Sequence, residues 1–142
     1  MSEKYIVFDV ETPNSANERM SAIGLAVVEG DRIVEEFSTL INPEVYFNRF
    51  NIQLTGISPE DVVDAPTFSD LWPSLKCMLE GEILIAHHAP FDMSVLAKCL
   101  DAYGIFWKEF AAYACTCQMG RRCYPDLPNH RLNTLCEHLK IE

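Results

Sequence analysis

At 142 residues and 49% hydrophobic, the chain suits one domain with a buried core and excludes a disordered polymer. No apolar run approaches the ~20 residues that a membrane-spanning helix needs, so no membrane partner is expected. A net charge of −10 argues against gripping nucleic acid through a broad basic surface.

The elements follow in chain order. Met1-Ser2-Glu3-Lys4 leads directly into an apolar run with no secretory n-region, h-region or cleavage site, so a cytoplasmic location is expected. The first strand is read over Tyr5–Val10. Pro13-Asn14-Ser15 breaks the chain, and Ile23, Leu25 and Val27 mark a second strand over Met20–Val28. Glu29-Gly30-Asp31 is a hairpin turn into a third strand, Arg32–Leu40. Short links make these three strands an antiparallel meander.

Residues 44–66 are read as irregular, with helical turns near Phe50–Leu54 and Pro59–Val63. Thr67 is a candidate N-cap, followed by Phe68, Leu71, Trp72, Leu75, Met78 and Leu79 at helical spacing, and Gly81 stops that helix. Ile83-Leu84-Ile85-Ala86 is a continuous apolar run, expected to be a strand buried on both faces. The next helix places Phe91, Val95, Leu96, Cys99 and Leu100 on one face, and Gly104 closes it. A fifth strand near Ala112–Cys115 and a last helix around Asn133–Leu139 complete the order. The fold class is α/β: a mixed sheet of five strands flanked by helices.

Without a secretory signal, the six cysteines are expected to be reduced. Cys77, Cys99 and Cys136 read as small core residues. The spacing of Cys115, Cys117 and Cys123, with His130 nearby, matches no common zinc module. Charge is uneven: residues 1–70 hold 13 acids and 4 bases, and residues 71–142 hold 8 acids and 7 bases. Any basic contact surface must therefore come from Lys98, Lys108, Arg121, Arg122, Arg131 and Lys140, each of which also reads as an ordinary solvated charge.

The chemistry-bearing feature is Asp9-Val10-Glu11 at the end of the first strand. Side chains alternate along a strand, so the two carboxylates project the same way and raise each other's pKa. A bound cation offsets such repulsion, and an oxygen-rich site suits Mg²⁺ or Mn²⁺. The bland alternative is a charged, exposed strand end. Asp92 follows the fourth strand, in the first turn of a helix whose dipole would favour a carboxylate in any case. If the first and fourth strands are parallel, both end on one edge of the sheet, where ligands of open α/β sheets bind. Asp9, Glu11 and Asp92 can then converge.

Phe8-Asp9-Val10-Glu11-Thr12 and Ala86-His87-His88-Ala89-Pro90-Phe91-Asp92 resemble the first two motifs of the DEDD 3′–5′ exonucleases of the DEDDh type. That family includes the epsilon proofreading subunit of bacterial DNA polymerase III. Thr55-Gly56-Ile57 matches the family's loop beside the terminal nucleotide, and Leu132–Leu139 matches the helix before its last motif.

The resemblance implies an RNase H-like fold, with the fourth and fifth strands parallel to the first, and two-metal hydrolysis of phosphodiester bonds. It implies that Asp9, Glu11 and Asp92 are catalytic and hold two Mg²⁺ or Mn²⁺ ions, which attract a phosphate backbone to an acidic site. It places Thr12, Leu54, Thr55, Ile57, His88 and Phe91 against substrate, although Phe91 reads equally as a core residue at the start of its helix. The implied partner is DNA or RNA with a free 3′ end, in proofreading, repair or RNA trimming, together with a DNA polymerase or repair complex.

Four departures qualify the likeness. Pro13 has no amide hydrogen where the family has Thr or Gly; His88 replaces an Asn; Cys115 stands where relatives carry Asp. Neither His130 nor His138 is followed five residues later by an Asp, the spacing of the family's last motif. Residues 1–142 are therefore expected to form one exonuclease-like domain lacking the family's C-terminal helix, and to be weakly active or inactive alone. The competing reading is a non-catalytic exonuclease-like module that holds nucleic acid or a partner.

Overall fold

A computed structural model describes residues 3–107 and 112–141. The sheet has the order β3-β2-β1-β4-β5, built from β1 (Lys4–Glu11), β2 (Ala22–Glu29), β3 (Arg32–Leu40), β4 (Ile83–Ala86) and β5 (Tyr113–Cys115). The first three strands form the antiparallel meander, turning at Gly30 with a φ of 63°. β4 runs parallel to β1, and β5 parallel to β4. The second strand starts at Ala22, two residues later than its apolar pattern implied, and Met20 and Ser21 ahead of it are buried. β3 is an edge strand, and Arg32, Glu35 and Glu36 line it with charges that discourage pairing with another chain.

The helices are α1 (Arg49–Thr55), α2 (Phe68–Leu79), α3 (Ala89–Ala102), α4 (Thr116–Cys123) and α5 (Leu132–Leu139), with a 3-10 turn at Pro59–Val62. Thr67 caps α2 as its sequence predicts: its hydroxyl accepts from the Asp70 N–H while Asp70 Oδ2 accepts from the Thr67 N–H. The core lies on one side of the sheet. Ile6, Phe8 and Val10 of β1, Leu25 of β2 and Leu84 of β4 pack with Phe68, Leu75 and Val95 from α2 and α3. Trp72 and Trp107 extend this cluster edge to face, with centroids 5.3 Å apart.

Three expectations need correction. β4 is not buried on both faces: Leu84 and Ala86 are enclosed, but Ile83 is 42% exposed and Ile85 half-buried. An apolar run shows that a strand is covered once; it does not show what covers the other face. Phe91 is 37% exposed rather than on the inner face of α3, and Asp92 takes the inward place, in step with Val95, Leu96, Cys99 and Leu100. Cys77 is exposed because α2 buries Phe68, Trp72, Leu75 and Leu79, and position 77 lies off that stripe. One basic candidate, Lys108, lies outside the described residues.

Candidate active site

The site is built where β1 outruns β4. The parallel ladder pairs Tyr5, Ile6 and Val7 with Ile83, Leu84 and Ile85 and then stops. Beyond it, the chain turns through His87 and His88 into α3, and the flank of β1 past Val7 has no strand beside it. Asp92 fills that gap: its Oδ1 accepts from the Val10 N–H at 3.2 Å. This bond ties Asp92, only 2% exposed, to the backbone of Val10, the residue between Asp9 and Glu11.

The three acids respond to one another. Burial pushes the Asp92 carboxyl up to about 7, against the lowering effect of the Val10 N–H and with further upward pressure from the Asp9 and Glu11 charges. Burial also raises Asp9, and burial followed by the Asp9 charge raises Glu11. None of the three has a basic partner: the ion pairs among the described residues are Lys4–Glu82 and Lys76–Glu80. Three carboxylates that disfavour their own charges and lack counter-ions form a site that a cation would relieve.

The donor set is oxygen-only and suits a hard dication in type. Among the described residues, however, no three His, Cys, Asp or Glu side chains stand close enough to hold a metal ion as placed. A chelate here requires the carboxylates to rotate inward. Asp9 and Glu11, on an open strand end, have room to do so.

Thr12 is held rigidly beside the acids. It is buried, its hydroxyl donates to Asn17 Oδ1 at 2.8 Å, and Asn51 Nδ2 donates to its carbonyl at 2.9 Å and its hydroxyl at 3.2 Å. Asn51 is a buried polar residue of α1 that no sequence pattern singled out. It ties the end of β1 to the helix carrying Leu54 and Thr55. Thr55 Oγ1 donates to Asn51 O at 2.8 Å and accepts from the Ile57 N–H at 3.2 Å, and Gly56, with a φ of 74°, ends the helix between them. Leu54 is 70% exposed, whereas Ile57 is buried. Thr12, Leu54 and Thr55 thus belong to one connected unit, with Leu54 as its exposed apolar side chain.

Pro13 costs the site an amide hydrogen but is itself fully buried, and its carbonyl accepts from the Asn48 N–H at 3.0 Å. His88 adopts a left-handed conformation, φ 67° and ψ 49°, at the start of α3. Asn and His are among the few non-glycine residues enriched there, which gives a backbone reason for His in place of Asn. His87 lines the groove that contains Asp9, with Nδ1 2.9 Å from Thr116 Oγ1. Cys115 is buried and its Sγ accepts from the Ala89 N–H at 3.3 Å. His130 and His138 both engage Tyr124, the first through a 2.8 Å bond from Nε2 to its carbonyl and the second by ring contact at 4.8 Å.

Residues 6–142 match the RNase T family, described as exonuclease. The chain is 37% identical over 142 residues to the PolC-type DNA polymerase III of Oceanobacillus iheyensis and 36% identical to that of Bacillus subtilis, covering 99% of this chain in both cases. It spans about a tenth of the length of those relatives. Among solved structures, it superposes on exonuclease X in complex with 5′-overhanging duplex DNA with a TM-score of 0.78, at 22% identity, covering 97% of this chain and 74% of that one. Product-bound exonuclease I gives a TM-score of 0.84 at 15% identity, covering all of this chain and 39% of that one. These two likenesses carry the fold alone: the five-stranded mixed sheet is that of the RNase H-like exonucleases. With its family match running from the first strand onward, the chain belongs to the RNase T exonuclease family.

Proposed function

We propose that the chain is the hydrolytic domain of a metal-dependent 3′–5′ exonuclease acting on DNA or RNA. The observation that supports this reading is the placement of Asp9, Glu11 and Asp92 at one end of the sheet, with the Asp9 and Glu11 charges raising Asp92 and none of the three in an ion pair among the described residues. Asp9, Glu11 and Asp92 would hold the ions. Two divalent cations bound there would supply charge neutralisation for the phosphodiester and a more acidic attacking water.

The remaining work falls to the chain's own residues. The Val10 N–H orients Asp92. Asn51 fixes Thr12 and, through α1, presents Leu54 as an apolar surface for the terminal base. His88 and Phe91, both exposed near the start of α3, are proposed to face the same substrate end. His130 and His138 are committed to Tyr124, so neither is assigned as a base, and residues 1–142 alone are expected to turn over slowly. General-base assistance is worth about 10²–10⁴ in rate. By its similarity to PolC-type polymerases, the domain is proposed to work within a DNA polymerase assembly.

The test is release of mononucleotides from the 3′ end of labelled oligonucleotides with Mg²⁺ or Mn²⁺, compared with Asp9→Ala. Release that depends on metal and on Asp9 supports the reading. Manganese binding at millimolar concentration with no release from DNA or RNA would instead favour a module that holds nucleic acid without cutting it.

A further inference from the structure

A second site adjoins the groove that contains Asp9, sharing His87 and Leu132 with it. It is a cleft of about 460 Å³ bounded by the β4–α3 turn, one face of α4 and the segment leading into α5. His87, His88, Arg121, Asn129, His130 and Arg131 supply its polar lining, and no Asp or Glu contributes. In a chain carrying 21 acids against 11 Lys and Arg, an acid-free lining with two arginines is a local reversal of charge.

Three of the lining groups, Arg121, Arg131 and Asn129, offer donors. Asn129 Oδ1 is occupied by the Arg131 N–H at 3.1 Å and the Thr134 hydroxyl at 2.6 Å, which leaves its amide NH₂ as the available group. His130 is anchored through Nε2 to Tyr124 O, so its ring holds one orientation. Neither Arg121 nor Arg131 takes part in the ion pairs found among the described residues. Two guanidinium forks and an amide NH₂, with no carboxylate among the lining groups, select an oxyanion, and phosphate above all.

The walls are fixed from behind. A Cβ at Gly120 would come within 2.8 Å of the end of the Leu135 side chain, so α4 and α5 pack closely here, next to Arg121 and one turn beyond Arg131. The cleft also continues into the groove over β1: His87 and Leu132 line both, and Asp9 lines the groove.

We propose that this cleft binds the phosphodiester backbone of a polynucleotide strand on the 5′ side of the nucleotide held at Asp9, Glu11 and Asp92. The inference rests on the exonuclease reading and adds a strand path to it. An acidic protein then grips a polyanion at two places of different chemistry: the carboxylate end through cations, the adjoining cleft through guanidiniums. Arg122 neighbours Arg121 on α4 but does not line the cleft, so it serves as a matched control.

The experiment is fluorescence anisotropy of labelled oligothymidylate with the whole chain in EDTA, across a salt series. For the Arg121→Gln/Arg131→Gln double variant, affinity falls about tenfold and the slope of log K against log salt shrinks by about 1.4, at ~0.7 per single-strand phosphate contact. Arg122→Gln changes the slope by less than half that amount. Arg121→Lys/Arg131→Lys restores most of the slope, which separates lost charge from lost folding. Oligouridylate in parallel shows whether the site discriminates RNA from DNA. No binding by the wild-type chain, or an unchanged slope in the double variant, overturns the inference. Failure of the exonuclease reading shows separately, as intact binding without nucleotide release in Mn²⁺.

Discussion

The two faces of β1 carry opposite duties within one strand. Ile6, Phe8 and Val10 point into the core and are at most 4% exposed; Val7, Asp9 and Glu11 alternate with them on the side that no helix fully covers. The packed face fixes where the backbone lies to within the tolerance of a close-packed interior. The open face then displays carboxylates from a support that does not move. A carboxylate pair on a loop could part by moving its backbone; on a strand anchored by Phe8 only the side chains can turn, so the two carboxylates stay neighbours and a cation between them would relieve the repulsion.

The largest effects should separate the two faces cleanly. Asp9→Ala should lower exonuclease turnover by ~10³-fold or more, since a lost metal ligand forfeits several kcal/mol of transition-state charge stabilisation. Its melting temperature in EDTA should be unchanged or higher, because a repelling charge has gone. Phe8→Ala, one residue away, should do the reverse: about 3–5 kcal/mol of stability lost, read by urea unfolding. If Asp9→Ala unfolds the chain instead, the open face is structural and the comparison collapses.

Asp92 belongs to neither face, and its pH behaviour sharpens the contrast. Its folded pKa is raised to about 7 by burial, so between the unfolded value near 4 and about 7 the folded chain binds a proton that the unfolded chain releases. Stability from this group is therefore fully present below pH 4 and is lost as pH climbs through 7. Melting temperature in EDTA should fall over that window, and Asp92→Asn should flatten the fall and gain about 1–2 kcal/mol at pH 7.5 while abolishing turnover. Millimolar Mn²⁺ should raise the wild-type melting temperature at pH 7.5 and leave Asp92→Asn nearly unmoved. A wild-type melting curve indifferent to pH in EDTA would show that Asp92 is not held uncharged.

Asn51→Ala comes next. It strips the partner from a buried Thr12 carbonyl, at a cost of about 1–3 kcal/mol, and frees α1 from the strand end. KM for oligonucleotides should rise about tenfold while kcat falls less, because the carboxylates themselves keep their places. A kcat loss matching that of Asp9→Ala would put Asn51 in the chemistry rather than beside it.

Much of this was legible in the sequence because it rests on local pattern. The apolar run of β1, the alternation of β2, the turn into β3, the Thr67 cap and the Asp9/Glu11 pair are each written within a few residues. α4 was not: Thr116–Cys123 buries only Cys117 and Gly120, so it has no apolar stripe to read, and its place depends on the packing of Gly120 against Leu135. The open side of β4 was missed because the apolar run Ile83–Ala86 looks the same whether one face or two are covered. Asn51 was missed for a third reason. A buried Asn inside a helix has meaning only through its partner Thr12, 39 residues earlier, and no spacing rule connects them.

The smallest effect tests Leu54, an apolar side chain that α1 sets out toward solvent. Leu54 is 70% exposed and touches no part of the core cluster, so Leu54→Ala should leave stability within about 0.5 kcal/mol of wild type. If Leu54 packs on the terminal base, losing that contact costs about 1 kcal/mol and lowers kcat/KM by about fivefold. The loss should grow when the terminal base is frayed or mismatched, since an unpaired base is the one free to lie against Leu54. A Leu54→Ala enzyme equal to wild type on paired and frayed ends alike would confine the open side's role to its carboxylates. Leu54→Phe, which enlarges the same surface without touching the core, should then also be silent; if it instead raises kcat/KM on frayed ends, the apolar contact is real and its size sets the preference.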